Sequence, residues 1–451
     1  MSRLFGTDGI RGIANTEITA ELAYQLGRAA TFYFGKATKR PQIIIGRDTR
    51  LSGMMLESAM AAGICSAGGD ALILGVAPTP AIAYLTQSLK AQAGVVISAS
   101  HNPYPDNGIK FFSAEGYKLP DAVEDELEEI LKNGVGNLPN PVGGEVGAII
   151  PIQEKIADYC EYLIGSTSVS LEGLKVVVDC ANGAAFEVAS KVYQALGAEV
   201  VAMYTAPNGV NINENCGSTH MEALRREVIA QNADIGIAHD GDADRCLGVT
   251  ETGEMIDGDR IMLICGLLLK AQSRLVKDTV VATVMSNIGF HQAAKEQGLN
   301  LEITGVGDRY VLERMTEKGL SLGGEQSGHI IFGDLSTTGD GVLSGVQLLS
   351  ALKNSGKKMS ELSSVMTEFP QLLVNIKVKS KVGWEEDARI TQAIQNAEAE
   401  LGDRGRILVR PSGTEPLLRV MAEGPTMEIL ERLTQEIAEA VKSALGAFDE
   451  A

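Results

Sequence analysis

Ile235-Gly236-Ile237-Ala238-His239-Asp240-Gly241-Asp242-Ala243-Asp244-Arg245 carries an element and a chemistry together. Ile235 and Ile237 open a short apolar run that predicts a strand anchored in a core. The run then turns polar at once. Asp240, Asp242 and Asp244 alternate, and in an extended segment alternate side chains point to one side. Crowded carboxylates repel one another unless a cation holds them, and three such oxygens with one further ligand suit Mg²⁺. A calcium EF-hand is the competing reading, since acids fall at positions one, three, five and twelve (Glu251) counted from Asp240. Its sixth position, however, is Arg245 where that loop needs glycine, and a strand leads in where a helix should.

The same strand-then-loop pattern recurs outward from this stretch. Gln42–Ile45 ends in Gly46-Arg47-Asp48, and Val95–Ile97, Val176–Val178 and Val280–Ala282 are further apolar strands. Residues 56–67, 222–230 and 121–132 carry helical patterns between them, so α/β sheets covered on both faces are expected. From Phe369 the character changes. Val374, Ile376 and Val378 alternate with polar residues, and Ile429, Leu433, Ile437, Val441 and Leu445 recur every four, the signature of a small α+β unit. Breaks at Pro139–Gly147, Thr252-Gly253 and Phe369-Pro370 divide the chain into 1–150, 151–253, 254–368 and 369–451. Each segment holds one strand that runs into a polar loop: 95–103, 235–245, 320–329 and 407–414. The expected fold is three similar α/β domains plus a smaller C-terminal α+β domain around a central active-site cleft.

The other three loops carry their own chemistry. Ser98-Ala99-Ser100-His101-Asn102-Pro103 displays serine at a strand end, either as a nucleophile or as a cap before a turn; it is no G-x-S-x-G elbow. His101 is a candidate base or a structural turn residue. Gly324-Glu325-Gln326-Ser327-Gly328-His329 offers a carboxylate, a hydroxyl and an imidazole suited to hydroxyl and amine recognition, with Arg309 adding a cation nearby. Arg410-Pro411-Ser412-Gly413-Thr414, with Arg419 on the next strand, makes a phosphate cradle of hydroxyls, backbone N–H groups and guanidiniums. Arg11 lies in a glycine-rich loop, and Lys110, among apolar neighbours, is expected to have a lowered pKa and to transfer protons. Together these groups point to phosphoryl transfer through a phosphoserine, and no nucleotide-binding loop marks ATP as donor.

Composition excludes other classes. The 451 residues hold 39 Lys+Arg against 58 Asp+Glu, a net charge of −19, which argues against a nucleic-acid or anionic-membrane binder. Hydrophobic residues make up 45%, enough for large cores. The longest apolar stretch, 261–269, is far short of the ~20 residues a membrane helix needs. The first ten residues contain Asp8 and no apolar signal region, so a cytoplasmic protein is expected. Six cysteines without a CxxC pair read as reduced thiols.

With all four loops in order, and Phe5-Gly6-Thr7-Asp8-Gly9-Ile10-Arg11-Gly12 at the start, the chain resembles the α-D-phosphohexomutase superfamily over essentially its whole length. The opening resembles the phosphoglucosamine mutases among them; phosphomannomutase/phosphoglucomutase is the alternative, and a non-catalytic sugar-phosphate- or calcium-binding protein that keeps the fold is the more distant one. The resemblance implies that Ser100, not Ser98, carries the phosphate, and that this phosphate with Asp240, Asp242 and Asp244 holds one Mg²⁺. It implies that Arg11, Lys110, Arg245 and His101 serve catalysis. Glu325, Ser327, His329 and Arg309 would meet the sugar, while Arg410, Ser412, Gly413, Thr414 and Arg419 would hold the second phosphate. It further implies exchange of glucosamine 6-phosphate and glucosamine 1-phosphate through a glucosamine 1,6-bisphosphate intermediate, feeding UDP-N-acetylglucosamine synthesis, in a homodimer. The sequence departs from many relatives at Ala243, where glycine is common, and at His239, whose ring is expected to alter the pH response of a nearby Mg²⁺.

Overall fold

The structure, a computed structural model, describes residues 3–6, 8–411 and 416–446. Its first sheet joins β1 (Ile10–Ile13), β2 (Gln42–Arg47), β3 (Asp70–Val76), β4 (Ala93–Ile97), β5 (Asp106–Ser113) and β6 (Ile149–Pro151) in the order β1-β5-β4-β2-β3-β6. The second joins β7 (Lys175–Asp179), β8 (Glu199–Met203), β9 (Ile235–Ala238), β10 (Leu247–Thr250) and β11 (Met255–Ile256) as β11-β10-β9-β7-β8. The third orders β12 (Thr279–Thr283), β13 (Asn300–Thr304), β14 (Leu322–Gly324) and β15 (Ile330–Phe332) as β13-β12-β14-β15. The last is antiparallel, β16 (Gln371–Lys377), β17 (Arg406–Pro411) and β18 (Leu417–Glu423), ordered β16-β18-β17. Three similar mixed α/β domains and a smaller C-terminal α+β domain result.

The sequence reading places the chemistry at the ends of buried strands, and the pairing explains how it is displayed. In each of the first three sheets a parallel core gives way to antiparallel pairing at β4–β5, β9–β10 and β14–β15, which in the first two sheets continues to the edge strands β1 and β11. The serine loop, the aspartate loop and the Glu325 loop are the connections of those pairs. A hairpin reverses the chain within a few residues, so side chains at its tip are fixed by ladders on both sides. The returning strands β5, β10 and β15 complete that frame.

Strand and helix positions otherwise follow the apolar pattern, with one informative difference. The helix expected from residue 56 begins at Leu51. Its first turn exposes Leu51 and Met54, so the buried stripe on which periodicity rests starts one turn late.

The chain divides into two compact units. One runs to Val284 and resumes over Leu299–Ser364; the other combines Met285–Gly298 with the chain from Val365 onward. Within the second, Ile376, Ile390, Leu418, Val420, Leu433 and Ile437 form the core. The buried Glu423 accepts from Ile288 N at 3.1 Å and Arg406 Nε at 2.6 Å, tying the helix Ile288–Glu296 to this sheet.

Candidate active site

Ser100 sits at the tip of the β4–β5 connection with φ 52°, in the left-handed region that non-glycine residues rarely adopt. Surrounding bonds hold it there. Its N–H donates to Ser98 Oγ at 2.9 Å, and Ser98 Oγ in turn donates to the buried Asp48 at 2.6 Å. Its carbonyl accepts from Arg50 Nη2 at 3.0 Å and from Asn213 Nδ2 at 2.9 Å. Strain maintained by so many contacts is typical of a working residue. The two serines thus divide their tasks: Ser98 faces inward and braces the loop, and Ser100 presents its hydroxyl.

That hydroxyl donates to Asp240 Oδ2 at 2.6 Å and lies 3.3 Å from His101 Nδ1. The serine and aspartate loops pack backbone against backbone: a Cβ on Gly241 would lie 2.5 Å from the Ser100 carbonyl oxygen. Asp242 is held from the first domain, accepting from Thr79 Oγ1 at 2.7 Å and Lys110 Nζ at 3.2 Å. Ala243 adopts φ 58°, which is why a glycine is at home at this position.

One oxygen from each of Asp240, Asp242 and Asp244 lies within 4.8 Å of the others, the only such metal-holding group among the described residues. Asp242 Oδ1 and Asp244 Oδ1 are buried with no hydrogen-bond partner. Buried unsatisfied carboxylate oxygens are costly, and a cation is the group that would satisfy these. The donor set is all oxygen and anionic, so it suits a hard divalent ion. Burial, then the neighbouring Asp244 and Asp242, push the Asp240 carboxyl up to about 8. Burial acts the same way on Asp244, but His329, Lys110 and Arg245 overcome it and hold that carboxyl low.

Lys110 overturns an expectation. Burial alone would lower its pKa, yet Asp242, Asp8 and Asp244 outweigh burial and raise it. Its Nζ lies 3.0 Å from Asp8 and 3.2 Å from Asp242. The residue is therefore a fixed ammonium, because the apolar sequence neighbours matter less than carboxylates brought in from two other loops. His239 likewise departs from expectation. Its ring turns into the core between the Tyr193 hydroxyl at 3.3 Å and the Arg245 carbonyl at 3.0 Å, and burial lowers it to about 4. It stays neutral and contributes no charge to the loop. His101 is also lowered to about 4, by burial and then by Arg245 and Arg11.

A cavity of about 480 Å³ opens over these groups, lined among others by Arg11, Ser100, His101, Asp244, Arg245 and Glu325. All three α/β domains contribute to it. Glu325 accepts from Gly307 N at 3.0 Å, and burial raises its carboxyl. His329 has Asp244 3.5 Å from Nδ1 and Asp308 3.4 Å from Nε2. The Gly339 N–H also approaches Nε2 at 3.1 Å, which suits the neutral ring. The two carboxylates outweigh that single amide, and although burial opposes it they raise the imidazole to about 9. Ser327 is half-buried on the same hairpin and is not among the lining residues. Arg309 pairs with Asp121 at 2.6 Å and lines an adjoining cavity of about 360 Å³.

The C-terminal unit presents Arg410 and Arg419 directly opposite one another on β17 and β18. Burial, then the Arg419 charge, lowers the Arg410 pKa. Two guanidiniums on facing strands are what an anion site requires. Ser412, Gly413 and Thr414 lie outside the described residues.

Most of the chain matches four models in order: phosphoglucomutase/phosphomannomutase alpha/beta/alpha domain I over residues 2–136, domain II over 157–253, domain III over 257–369, and the C-terminal domain over 373–440. The chain belongs to the phosphoglucomutase/phosphomannomutase family. A phosphoglucosamine mutase of Symbiobacterium thermophilum is 56% identical over 447 residues, covering 99% of this chain and 100% of that one. One from Clostridium novyi is 52% identical, covering 99% and 100%. Among solved structures of the family, a phosphoglucomutase/phosphomannomutase family protein of Burkholderia thailandensis superposes with TM-score 0.83 at 25% identity, covering 99% of each chain. An Aspergillus fumigatus N-acetylphosphoglucosamine mutase, solved in complex with GlcNAc-6P and magnesium, shares the fold with TM-score 0.69 at 18% identity, covering 98% of this chain and 96% of that one.

Several groups in the family cleft carry no sequence motif. Asp48 and Arg50 could have been read from the polar end of β2, which has the same strand-into-polar-loop form as the others. Thr79, Lys118 and Asp308 could not, since each matters only through a partner far away in the chain.

Proposed function

We propose that the protein is a phosphoglucosamine mutase that interconverts glucosamine 6-phosphate and glucosamine 1-phosphate. The observation that carries the chemistry is the Ser100 hydroxyl, held in a strained backbone 2.6 Å from a carboxylate of the buried aspartate triad. The amino-sugar substrate rests on whole-length relatives at 52 and 56% identity that carry this activity.

In the forward half-reaction, phosphorylated Ser100 donates its phosphoryl group to O1 of glucosamine 6-phosphate. The O1–P bond forms, the Oγ–P bond breaks, and the O1 proton leaves to a base. His101, neutral and next to Ser100 Oγ, is the group placed to take it. The resulting glucosamine 1,6-bisphosphate turns over in the cleft. His101 returns its proton to the departing Ser100 Oγ. The serine hydroxyl then attacks the 6-phosphoryl group: the Oγ–P bond re-forms, the O6–P bond breaks, and the Oγ proton passes through His101 to O6. This regenerates phosphoserine and releases glucosamine 1-phosphate. Asp240, Asp242 and Asp244 would hold Mg²⁺, which when bound neutralises charge on the transferring phosphoryl. Lys110 and Arg11 stand as fixed cations against the same charge, and Arg245 flanks it. Glu325, Ser327, His329 and Arg309 would meet the sugar. Arg410 and Arg419, with Ser412, Gly413 and Thr414, would hold the phosphate that is not in transit.

On this reading, residues 1–150 supply the phosphoserine loop, 151–253 the metal loop, 254–368 the sugar loop and 369–451 the phosphate cradle. The protein would work in the cytoplasm as a homodimer; no helix among the described residues is long and apolar enough to cross a membrane. A coupled assay over glucosamine, mannose and glucose 6-phosphates, primed with a trace of 1,6-bisphosphate, tests the reading. Highest efficiency with glucosamine 6-phosphate and loss of turnover in Ser100→Ala are expected. Full activity of Ser100→Ala, or a Ser100 peptide that never carries phosphate by mass spectrometry, would overturn it.

A further inference from the structure

Six charged groups close a ring beside the cleft. Asp8 pairs with Lys110 at 3.0 Å, and Lys110 reaches Asp244 at 4.0 Å. Asp244 faces His329 at 3.5 Å, and His329 faces Asp308 at 3.4 Å. Asp308 pairs with Lys118 at 2.5 Å, and Lys118 returns to Asp8 at 2.6 Å. Carboxylates alternate around the ring with nitrogen bases, and its members come from three domains. Lys118, Asp8 and Asp308 have no part in the chemistry above, and Lys118 is the cation that joins the other two.

Its backbone is well fixed. Lys118 bridges Phe112 next to β5, and Leu119 N donates to the Phe111 carbonyl at 3.2 Å. The turn just before it is held from the third domain, where Thr337 Oγ1 donates to the Gly116 carbonyl at 2.6 Å. Asp8, at the other end of the bridge, also pairs with Arg11. Asp308 opens the helix Asp308–Lys318 directly after Gly307, whose N–H holds Glu325.

We propose that Lys118 is a positioning residue: by bridging Asp8 and Asp308 it fixes the Arg11–Lys110 side of the cleft against the Glu325 side and so aligns both cations on the transferring phosphoryl group. Without its ammonium, two shielded carboxylates face each other, and their repulsion drives the two loops apart. Asp8 would then be shared by Arg11 and Lys110 alone and draw them from the phosphoryl position.

The kinetic arm of the test rests on the mutase reading and uses the Mg²⁺-loaded enzyme with glucosamine 6-phosphate. Lys118→Met is expected to lower kcat by about 10- to 100-fold, the cost of misplacing charge by an ångström or so, with KM changed by less than about threefold. Lys118→Arg, which can span the same carboxylates, is expected to recover most of kcat. The double variant Lys118→Met/Asp308→Asn removes one carboxylate with the ammonium, so it should fold at least as well as Lys118→Met while its kcat stays low. Hydrogen exchange on the same proteins reads the bridge whatever the substrate. Faster exchange in both 8–11 and 305–308 is expected for Lys118→Met, with protection restored in Lys118→Arg. A wild-type kcat in Lys118→Met, a loss confined to KM, no recovery with arginine, or unchanged exchange in either segment would overturn the proposal. A wild type that exchanges as expected but turns over no amino-sugar phosphate would instead count against the mutase reading alone.

Discussion

Arg50 Nε lies 2.8 Å from Asp48 Oδ2, and both side chains are wholly shielded from solvent. The guanidinium spends its remaining donors on the carbonyls of Ser100, Asn102 and Pro103. Burial pushes the Asp48 carboxyl up even though Arg50 and the Ser98 hydroxyl oppose it. One buried arginine thus writes the shape of the serine loop. Arg50→Met is expected to destabilise the fold by about 3–5 kcal/mol, because Asp48 is left as an uncompensated buried charge. Lysine cannot bridge three carbonyls and a carboxylate at once, so Arg50→Lys should recover little. Urea unfolding with turnover measured in parallel checks both statements.

Metal binding should appear as stability before it appears as rate. A ligand at 100 times its Kd stabilises by about 2.7 kcal/mol. Saturating Mg²⁺ is therefore expected to raise the melting temperature of the wild type. Asp242→Asn removes one ligand and a counter-charge of Lys110, and should weaken Mg²⁺ binding roughly 100-fold and abolish that rise. Calorimetric titration and thermal melts with and without Mg²⁺ read the two effects.

Asp179, at the end of β7, accepts from Ala181 N at 2.8 Å and Gly217 N at 2.9 Å, yet burial raises it from its ordinary 3.8 to about 6. A carboxyl with a raised pKa binds its proton more tightly when folded. Its contribution to stability is greatest below pH 3.8 and is lost as the pH climbs to about 6, by about 3 kcal/mol in all. Asp179→Asn should remove that part of the slope and leave the variant relatively more stable at pH 7 than at pH 4. Unfolding free energies measured across that range decide it.

Ala243 holds φ 58° inside the aspartate loop with no exposed surface. Ala243→Gly removes about 1 kcal/mol of strain but gives the unfolded chain back nearly as much entropy, so stability should move by no more than about 0.5 kcal/mol. Ala243→Val adds a branched side chain where neither the backbone nor the packing admits one, and should cost well over 2 kcal/mol. Denaturant midpoints of the two variants separate these outcomes.

Much of this was legible in the chain because it is written locally. Ile235 and Ile237 before three alternating aspartates give a strand and an ion site within eleven residues, and the four loops could be ordered without any fold in hand. Charge states could not be read that way. Lys110 looks like a lysine set to lose its proton until Asp8 and Asp242 arrive from loops about a hundred residues away on either side. The returning strands β10 and β15 are three or four residues long, too short for an apolar period to show. Lys118 follows an ordinary turn, and only the closed fold gives it two carboxylates.

The ring through Asp8, Lys110, Asp244, His329, Asp308 and Lys118 has a consequence for how such a protein can be taken apart or recombined. The first domain contributes one anion and two cations, the second a lone anion, and the third an anion with an imidazolium. The first domain's surplus cation and the second domain's lone anion therefore balance only each other, so neither of these two domains is neutral at the ring by itself. A chimera that imports the first or the second domain alone from a distant relative would inherit an unbalanced charge at the seam even where the shapes match. Exchange should succeed only when the matching ring members travel with the domain.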